Sequence, residues 1–273
     1  VLSVLMIVGP GDFHLASLHG VWGIGELPYF LSIGLTIFLF LFLINAFNLV
    51  DGIDGLASGI GILGSLFFGI IFWISGNLAY TVLSFTLAAS LLVFFRFNVF
   101  SRKNKIFLGD TGSMLIGMIL AILSLRFMNS EFSIHNFQGY SLPAMMLAVR
   151  IGPIFDTVRV FTVRIHQGRS PFTADRNHLH HHMLALSGSH RSATANIIIL
   201  NLLFIALSFG IGALPKDVAI PIVLITAFVL FNIPVLMRKS RDIRHRKAYS
   251  ASVQKLLSQQ KEQGIRVLER KTA

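Results

Sequence analysis

Only 12 of the 273 residues are acidic, so each carboxylate is conspicuous, and three segments gather carboxylates with other groups that could do chemistry. The first reads Asn45-Ala-Phe-Asn48-Leu-Val-Asp51-Gly-Ile-Asp54-Gly-Leu-Ala57. Gly52 and Gly55 permit a tight turn that presents two carboxylates, three residues apart, toward one place. Two negative charges held beside a bilayer repel and desolvate poorly unless a cation or a set of donors compensates them. A divalent metal or a polar substrate is the economical compensator. The plainer reading makes both Asp-Gly pairs turn formers, with Asp54 capping the next helix.

The second segment is Lys105-Ile-Phe-Leu-Gly109-Asp110-Thr111-Gly112-Ser113, directly before an apolar run. A glycine-bounded turn that opens a helix offers free backbone N–H groups to a phosphate and a carboxylate to a metal, and phosphate chemistry would use both. Alternatively Asp110 or Ser113 is only a helix cap. The third segment runs from Gly168 to His182 and holds Arg169, Arg176 and four of the ten histidines, His178, His180, His181 and His182. Arginine forks phosphate, and imidazole donates or accepts a proton, so this loop suits a diphosphate and sugar hydroxyls. His178 with His181 or His182 also has helical zinc-ligand spacing, but neither a Cys nor the Glu of an H-E-x-x-H motif is near. A solvated polar loop is the remaining alternative.

These segments are interleaved with hydrocarbon. Hydrophobic residues make up 54% of the chain and charged ones 13%, against roughly 25% charged in soluble domains. The uncharged runs from Leu27 to Val50 and from Gly55 to Phe95 suffice for one and two helical crossings at about 20 residues each. They are continuously apolar rather than alternating, which excludes a porin-type barrel, and a soluble enzyme is excluded with it. The expected fold is an all-α polytopic membrane protein. Spans are expected near 28–49, 56–75, 79–95, 112–128, 141–158, 194–213 and 218–237, preceded by a short apolar start at 1–8 that is best read as the end of a truncated span. That divides the chain into a transmembrane domain, 1–237, and a basic tail, 238–273. Gly55 and Gly59 lie one turn apart and let a neighbouring helix approach closely. Without cysteine there is no disulfide, thiolate nucleophile or thiolate-held metal.

The net charge of +11 points to orientation rather than to nucleic acid. The loops 96–110 and 159–193 and the tail from Arg238 carry 20 of the 23 Lys and Arg, and alternation of the spans puts all three on one side. By the positive-inside rule that side is the cytoplasm, where the three motif segments and the C-terminus would lie. The tail could rest on anionic headgroups. Arg150 and Asp156 sit within the span at 141–158; six residues apart, they are not a helical pair, and Arg150 is given no role. Arg126, near the far end of its span, is expected to snorkel to the interface.

The three segments together, in this order and at these membrane positions, resemble the polyprenyl-phosphate N-acetylhexosamine-1-phosphate transferases of glycosyltransferase family 4. The third segment is similar to their GlcNAc-type branch rather than to the muramyl-pentapeptide branch. The resemblance covers nearly the whole chain. It implies Asp51, Asp54 and Asp110 as catalytic carboxylates, with Asp110 on a Mg²⁺ for which Mn²⁺ could substitute. It implies Asn48, Arg169, His178, His180, His181 and His182 as substrate-binding. It also implies an Asn shortly before the Gly-Asp turn, where Asn98 lies about two residues farther than the family spacing and the usual Pro is absent.

The implied reaction is attack by an undecaprenyl-phosphate oxygen on the sugar-linked phosphorus of a UDP-N-acetylhexosamine, releasing UMP at the cytoplasmic face of a bacterial inner membrane and initiating an envelope polysaccharide such as lipopolysaccharide. The implied partners are those two substrates and membrane lipids, without nucleic acid, and a homodimer is compatible. The family's adjacent aspartate pair occurs nowhere in this chain, which fits a truncated start or a relative that binds polyprenyl phosphate without turnover. A transporter using the Asp and His clusters is the alternative from another class, but it would place ionisable groups at mid-membrane rather than at one face.

Overall fold

In hydrocarbon every backbone N–H and C=O must be bonded within the chain, so apolar runs of this length form helices. The computed structural model describes residues 13–129, 140–173 and 177–272. It shows a two-stranded hairpin, β1 (Ser17–Val21) and β2 (Ile24–Glu26), followed by eight helices. These are α1 (Tyr29–Asn48), α2 (Leu56–Ile74), α3 (Leu78–Phe100), α4 (Gly109–Met128), α5 (Leu142–His166), α6 (Leu179–Ser187), α7 (His190–Ile211) and α8 (Lys216–Thr272). Six of them, α1 to α4, α7 and the Lys216–Arg246 part of α8, are long and apolar enough to cross a membrane. The chain is a multi-pass helical membrane protein.

The segment expected as a span at 141–158 is helical but longer, and it carries Arg150, Asp156, Arg159 and Arg164. Its charge keeps it below the hydropathy of the other six. Helix α8 runs unbroken past position 237, so the boundary expected between domain and tail is not a break in the backbone. The apolar start at 1–8 and residues 174–176 of the third motif segment lie outside the described residues. The hairpin was not anticipated; Trp22 and Gly23 both take positive φ, the geometry of a tight two-residue hairpin turn.

Helix α2 is the hub, with 67% of its apolar window buried against 22% for α3 and 28% for α7. Its small residues allow this. A Cβ at Gly59 would lie 2.2 Å from Ile198 Cδ1 of α7, and one at Gly61 would lie 2.7 Å from Leu91 Cδ1 of α3. Phe47, Phe68, Phe72, Phe127 and Phe204 fill the core around α2. Arg150 is buried, and its guanidinium stands 5.6 Å from the Phe47 ring centroid with no hydrogen-bond partner among the described residues. Arg126 is exposed, as a snorkelling side chain should be, and covers the Tyr80 ring at 5.4 Å.

The helices deliver their ends in two sets. At one end the hairpin ties down the bundle: Trp22 N–H donates to Asp217, and His19 meets the carbonyl of Met128. At the other end the three motif segments meet. Their alignment depends on α1 lying close to α4, where a Cβ at Gly117 would stand 3.2 Å from both the Cα and the carbonyl oxygen of Ile44. Backbone cannot yield as a side chain can, so overpacking here costs about 1–3 kcal/mol. Gly117→Leu should therefore lower the thermal midpoint in detergent by several degrees, whereas Gly34→Leu, at a position with open space, should leave it unchanged.

Candidate active site

The first motif segment is a turn between α1 and α2, held from three sides. Asn48, the last residue of α1, donates from Nδ2 to Ser113 Oγ at 2.7 Å and so fastens the turn to the first turn of α4. Gly55 caps α2 at φ +79°, and its N–H donates to Asn98 Oδ1 at 2.6 Å. Asn98 Nδ2 in turn donates to the carbonyl of Ile106 at 2.8 Å. One buried amide at the end of α3 therefore joins the first segment to the second, despite its two-residue departure from the family spacing.

The three aspartates take different environments. Asp54 is paired with Lys105, whose Nζ lies 2.7 Å from its Oδ2; His190 Nδ1 stands 3.3 Å from the same oxygen and accepts from the Asp54 N–H at 3.5 Å. Thr194 also donates from Oγ1 to the Asp54 carbonyl at 2.7 Å. Asp110, in the first turn of α4, is exposed. Asp51 also keeps solvent exposure, yet desolvation, and then the charges of Asp110 and Asp54, push its carboxyl above the usual carboxylate range. Among the described residues neither Asp51 nor Asp110 shows an ion pair, whereas the third carboxylate, Asp54, is paired with Lys105. Among the described residues no three His, Asp or Glu side chains are grouped closely enough to hold a metal ion unaided.

The third segment docks onto the first. His180 is buried, and a Cβ at Gly52 would lie 2.1 Å from its Nε2, so glycine at 52 is what lets the imidazole sit against the turn. Its ring is parallel to that of His178, 5.7 Å away, and 4.2 Å from that of His181. His178 is buried, with Nδ1 3.0 Å from Asp156 Oδ2 and Nε2 3.4 Å from Arg164 Nη2, so both its ring nitrogens are engaged within the protein. His182 is buried near Arg159 and Arg238. Burial first, with neighbouring positive groups, lowers both His180 and His182 to about 4 and keeps them neutral. His181 is half-buried, and Arg169 is exposed with its guanidinium 3.3 Å from Gln167 Oε1. Of the anticipated substrate-binding residues, Arg169 and His181 face solvent most openly.

Residues 1–128, which contain the first two motif segments, match the family model described as Glycosyl transferase family 4. Over those residues, a little under half of its length, the chain resembles that family. The chain is similar, at 32% identity over 222 residues, to the undecaprenyl-phosphate alpha-N-acetylglucosaminyl 1-phosphate transferase of Escherichia coli strain K12, covering 79% of this chain and 56% of the relative. It is 33% identical over 226 residues to the decaprenyl-phosphate N-acetylglucosaminephosphotransferase of Mycolicibacterium smegmatis, covering 76% of this chain and 54% of the relative. The chain spans a little over half the length of these curated relatives.

Sequence reasoning did not single out His190 and Thr194, because a histidine opening an apolar helix reads as a cap region; only the fold shows that it faces Asp54. Two outcomes follow from the seating of His180. Gly52→Ala should displace the imidazole at a cost of about 1–3 kcal/mol of overpacking, read as a lowered thermal midpoint and faster amide exchange across α6; an unchanged midpoint and exchange would show that the turn accommodates the added methyl. Because the folded values of His180 and His182 lie below the unfolded reference near 6.5, the unfolded loop binds more protons between the two. The stability they contribute is therefore present above about pH 6.5 and lost as pH falls toward about 4. Amide exchange across α6, corrected for intrinsic rates, should quicken over that range and not between pH 7 and 8.

Proposed function

We propose that this protein transfers N-acetylglucosamine 1-phosphate from UDP-GlcNAc to undecaprenyl phosphate and releases UMP, at the cytoplasmic face of a bacterial inner membrane. The observation that carries the reading is the convergence, at one end of the helices, of three segments separated by up to 130 residues in sequence, around Asp51 and Asp110. The activities named for the relatives at about one-third identity support it. So does substrate logic: a polyprenyl tail stays in the bilayer with its phosphate at headgroup level, while the sugar nucleotide arrives from water. A transporter would place its ligands at mid-membrane, whereas here the carboxylates lie at the helix ends.

In this reading Asp51 and Asp110 hold a Mg²⁺, and the donor set fits, since two oxygen ligands that repel each other are what a hard divalent cation relieves. When bound, the ion supplies charge neutralisation for the diphosphate and the incoming lipid phosphate. Asp54 acts differently. Its charge is paired with Lys105, and His190 and Thr194 reach it from α7, so it fixes the loop before Asp110 and the start of α7 against the first turn. Arg169 is positioned to fork a nucleotide phosphate, and His181 to meet the sugar or diphosphate. Neutral His180 shapes the floor beside Asp51 without adding positive charge. A lipid-phosphate oxygen forms the new bond to the sugar-linked phosphorus as the phosphoanhydride bond to UMP breaks.

The test is Mg²⁺-dependent UMP release from UDP-GlcNAc and undecaprenyl phosphate by the protein expressed from its full reading frame. Asp51→Asn and Asp110→Asn should each lower kcat on the order of 10²–10³-fold, the range for loss of a charge-stabilising group, with Asp54→Asn costing less. No release with any UDP-N-acetylhexosamine, from protein that still binds polyprenyl phosphate, would replace the enzyme with a binding-only relative.

A further inference from the structure

The carboxylate most fully used in this structure is not one of the three in the first two motif segments. Asp156, just past the middle of α5, is buried, and both of its oxygens are engaged. Oδ1 accepts from Arg159 Nη2 at 2.7 Å and from the N–H of Leu179 at 2.9 Å, while Oδ2 meets His178 Nδ1 at 3.0 Å. Leu179 is the first residue of α6, whose own N-terminal residue His178 provides no side-chain cap. Asp156 therefore caps α6 from another helix, satisfying one of the backbone donors that a helix start leaves open and placing negative charge at the positive end of the dipole. Arg159 also donates to the carbonyl of Asn177, and Arg164 to that of Pro171. The stretch on both sides of residues 174–176 is thereby strapped to the last turns of α5.

The same contacts fix a proton. A carboxylate can only accept, so His178 carries its hydrogen on Nδ1; a guanidinium can only donate, so Nε2 is left as the acceptor facing Arg164. The His178 ring so held lies parallel to His180, and His180 rests where a side chain at 52 would otherwise stand. We propose that Asp156 is a positioning residue, which through His178 sets His180 and the start of α6 against the Asp51–Gly52 turn. The inference rests on the proposed transferase reading for its kinetic consequence, but not for the structural one.

Asp156→Asn is a selective probe. Asparagine keeps an oxygen for Leu179 and Arg159 but can present an N–H₂ group to His178, which moves the ring hydrogen to Nε2 and sets it against the Arg164 donors. Arg164→Gln offers an amide oxygen to that inverted ring. In the full-length protein in nanodiscs, Asp156→Asn should raise the KM for UDP-GlcNAc roughly tenfold or more with the KM for lipid phosphate unchanged. It should also speed amide exchange across 177–187. Asp156→Asn with Arg164→Gln should recover part of both effects, although each single change impairs them. Wild-type KM and exchange in Asp156→Asn, strictly additive losses in the double variant, or losses in both substrates that only follow a lowered thermal midpoint would each overturn the proposal. Should the wild type release no UMP, the transferase reading fails by itself, and exchange across 177–187 still decides: unchanged exchange in Asp156→Asn overturns the positioning role, and faster exchange that Arg164→Gln partly reverses supports it.

Discussion

Like charges near a low-dielectric phase must be compensated, and the architecture at the motif end of this protein is organised by that requirement. Three carboxylates come from the connection between α1 and α2 and from the start of α4, after its connection to α3. One, Asp54, is paired internally with Lys105. The other two show no ion pair among the described residues, and the Asp51 carboxyl is raised first by desolvation and then by the charges of Asp110 and Asp54. Neutralising all three would have produced an inert salt-bridge cluster. Pairing one pins the two turns and α7 together and leaves the two carboxylates on which the proposed Mg²⁺ would sit. The neutral histidines fit the same logic, since protonated imidazoles packed around Gly52 would cancel the negative field that a divalent cation needs.

Packing transmits that requirement into the bundle. Helix α2 begins at the left-handed Gly55, whose N–H is taken by Asn98, and continues through Gly59 and Gly61, where α7 and α3 approach within side-chain contact. The glycines of α2 therefore set the height of α3, which carries Asn98, and of α7, which carries His190. Helix–helix association in lipid relies on close packing rather than on exclusion of water, so small residues on the hub are how helix ends far apart in sequence reach a common plane. Asp156 extends this control to the third segment by capping α6 from α5.

Much of this was legible in the sequence, and for physical reasons. Apolar runs of spanning length have one solution in a bilayer, and scarce acidic residues beside Gly mark the turns between them. The third segment was harder. Its four histidines were read as one substrate-facing set, whereas a helix start at Leu179 buries His178 and His180 and carries His182 into the neighbourhood of Arg159 and Arg238. No local pattern distinguishes them, because the outcome depends on α5 supplying Asp156, Arg159 and Arg164 from one side and on Gly52 leaving room on the other. The hairpin was missed since its strands are five and three residues long and its turn is Trp-Gly rather than a residue pair that signals a hairpin. The charge of α5 likewise concealed how much of it lies inside the protein.

The central claim is that Asp51 and Asp110 together form the cation-binding pair while Asp54 serves the scaffold. Titration of the purified protein with Mn²⁺, followed by its electron paramagnetic resonance signal and competed with Mg²⁺, tests this without recourse to turnover. One site per chain is expected, lost in Asp51→Asn and in Asp110→Asn and retained in Asp54→Asn. Retention of the site in either of the first two variants, or its loss in the third alone, would contradict the account.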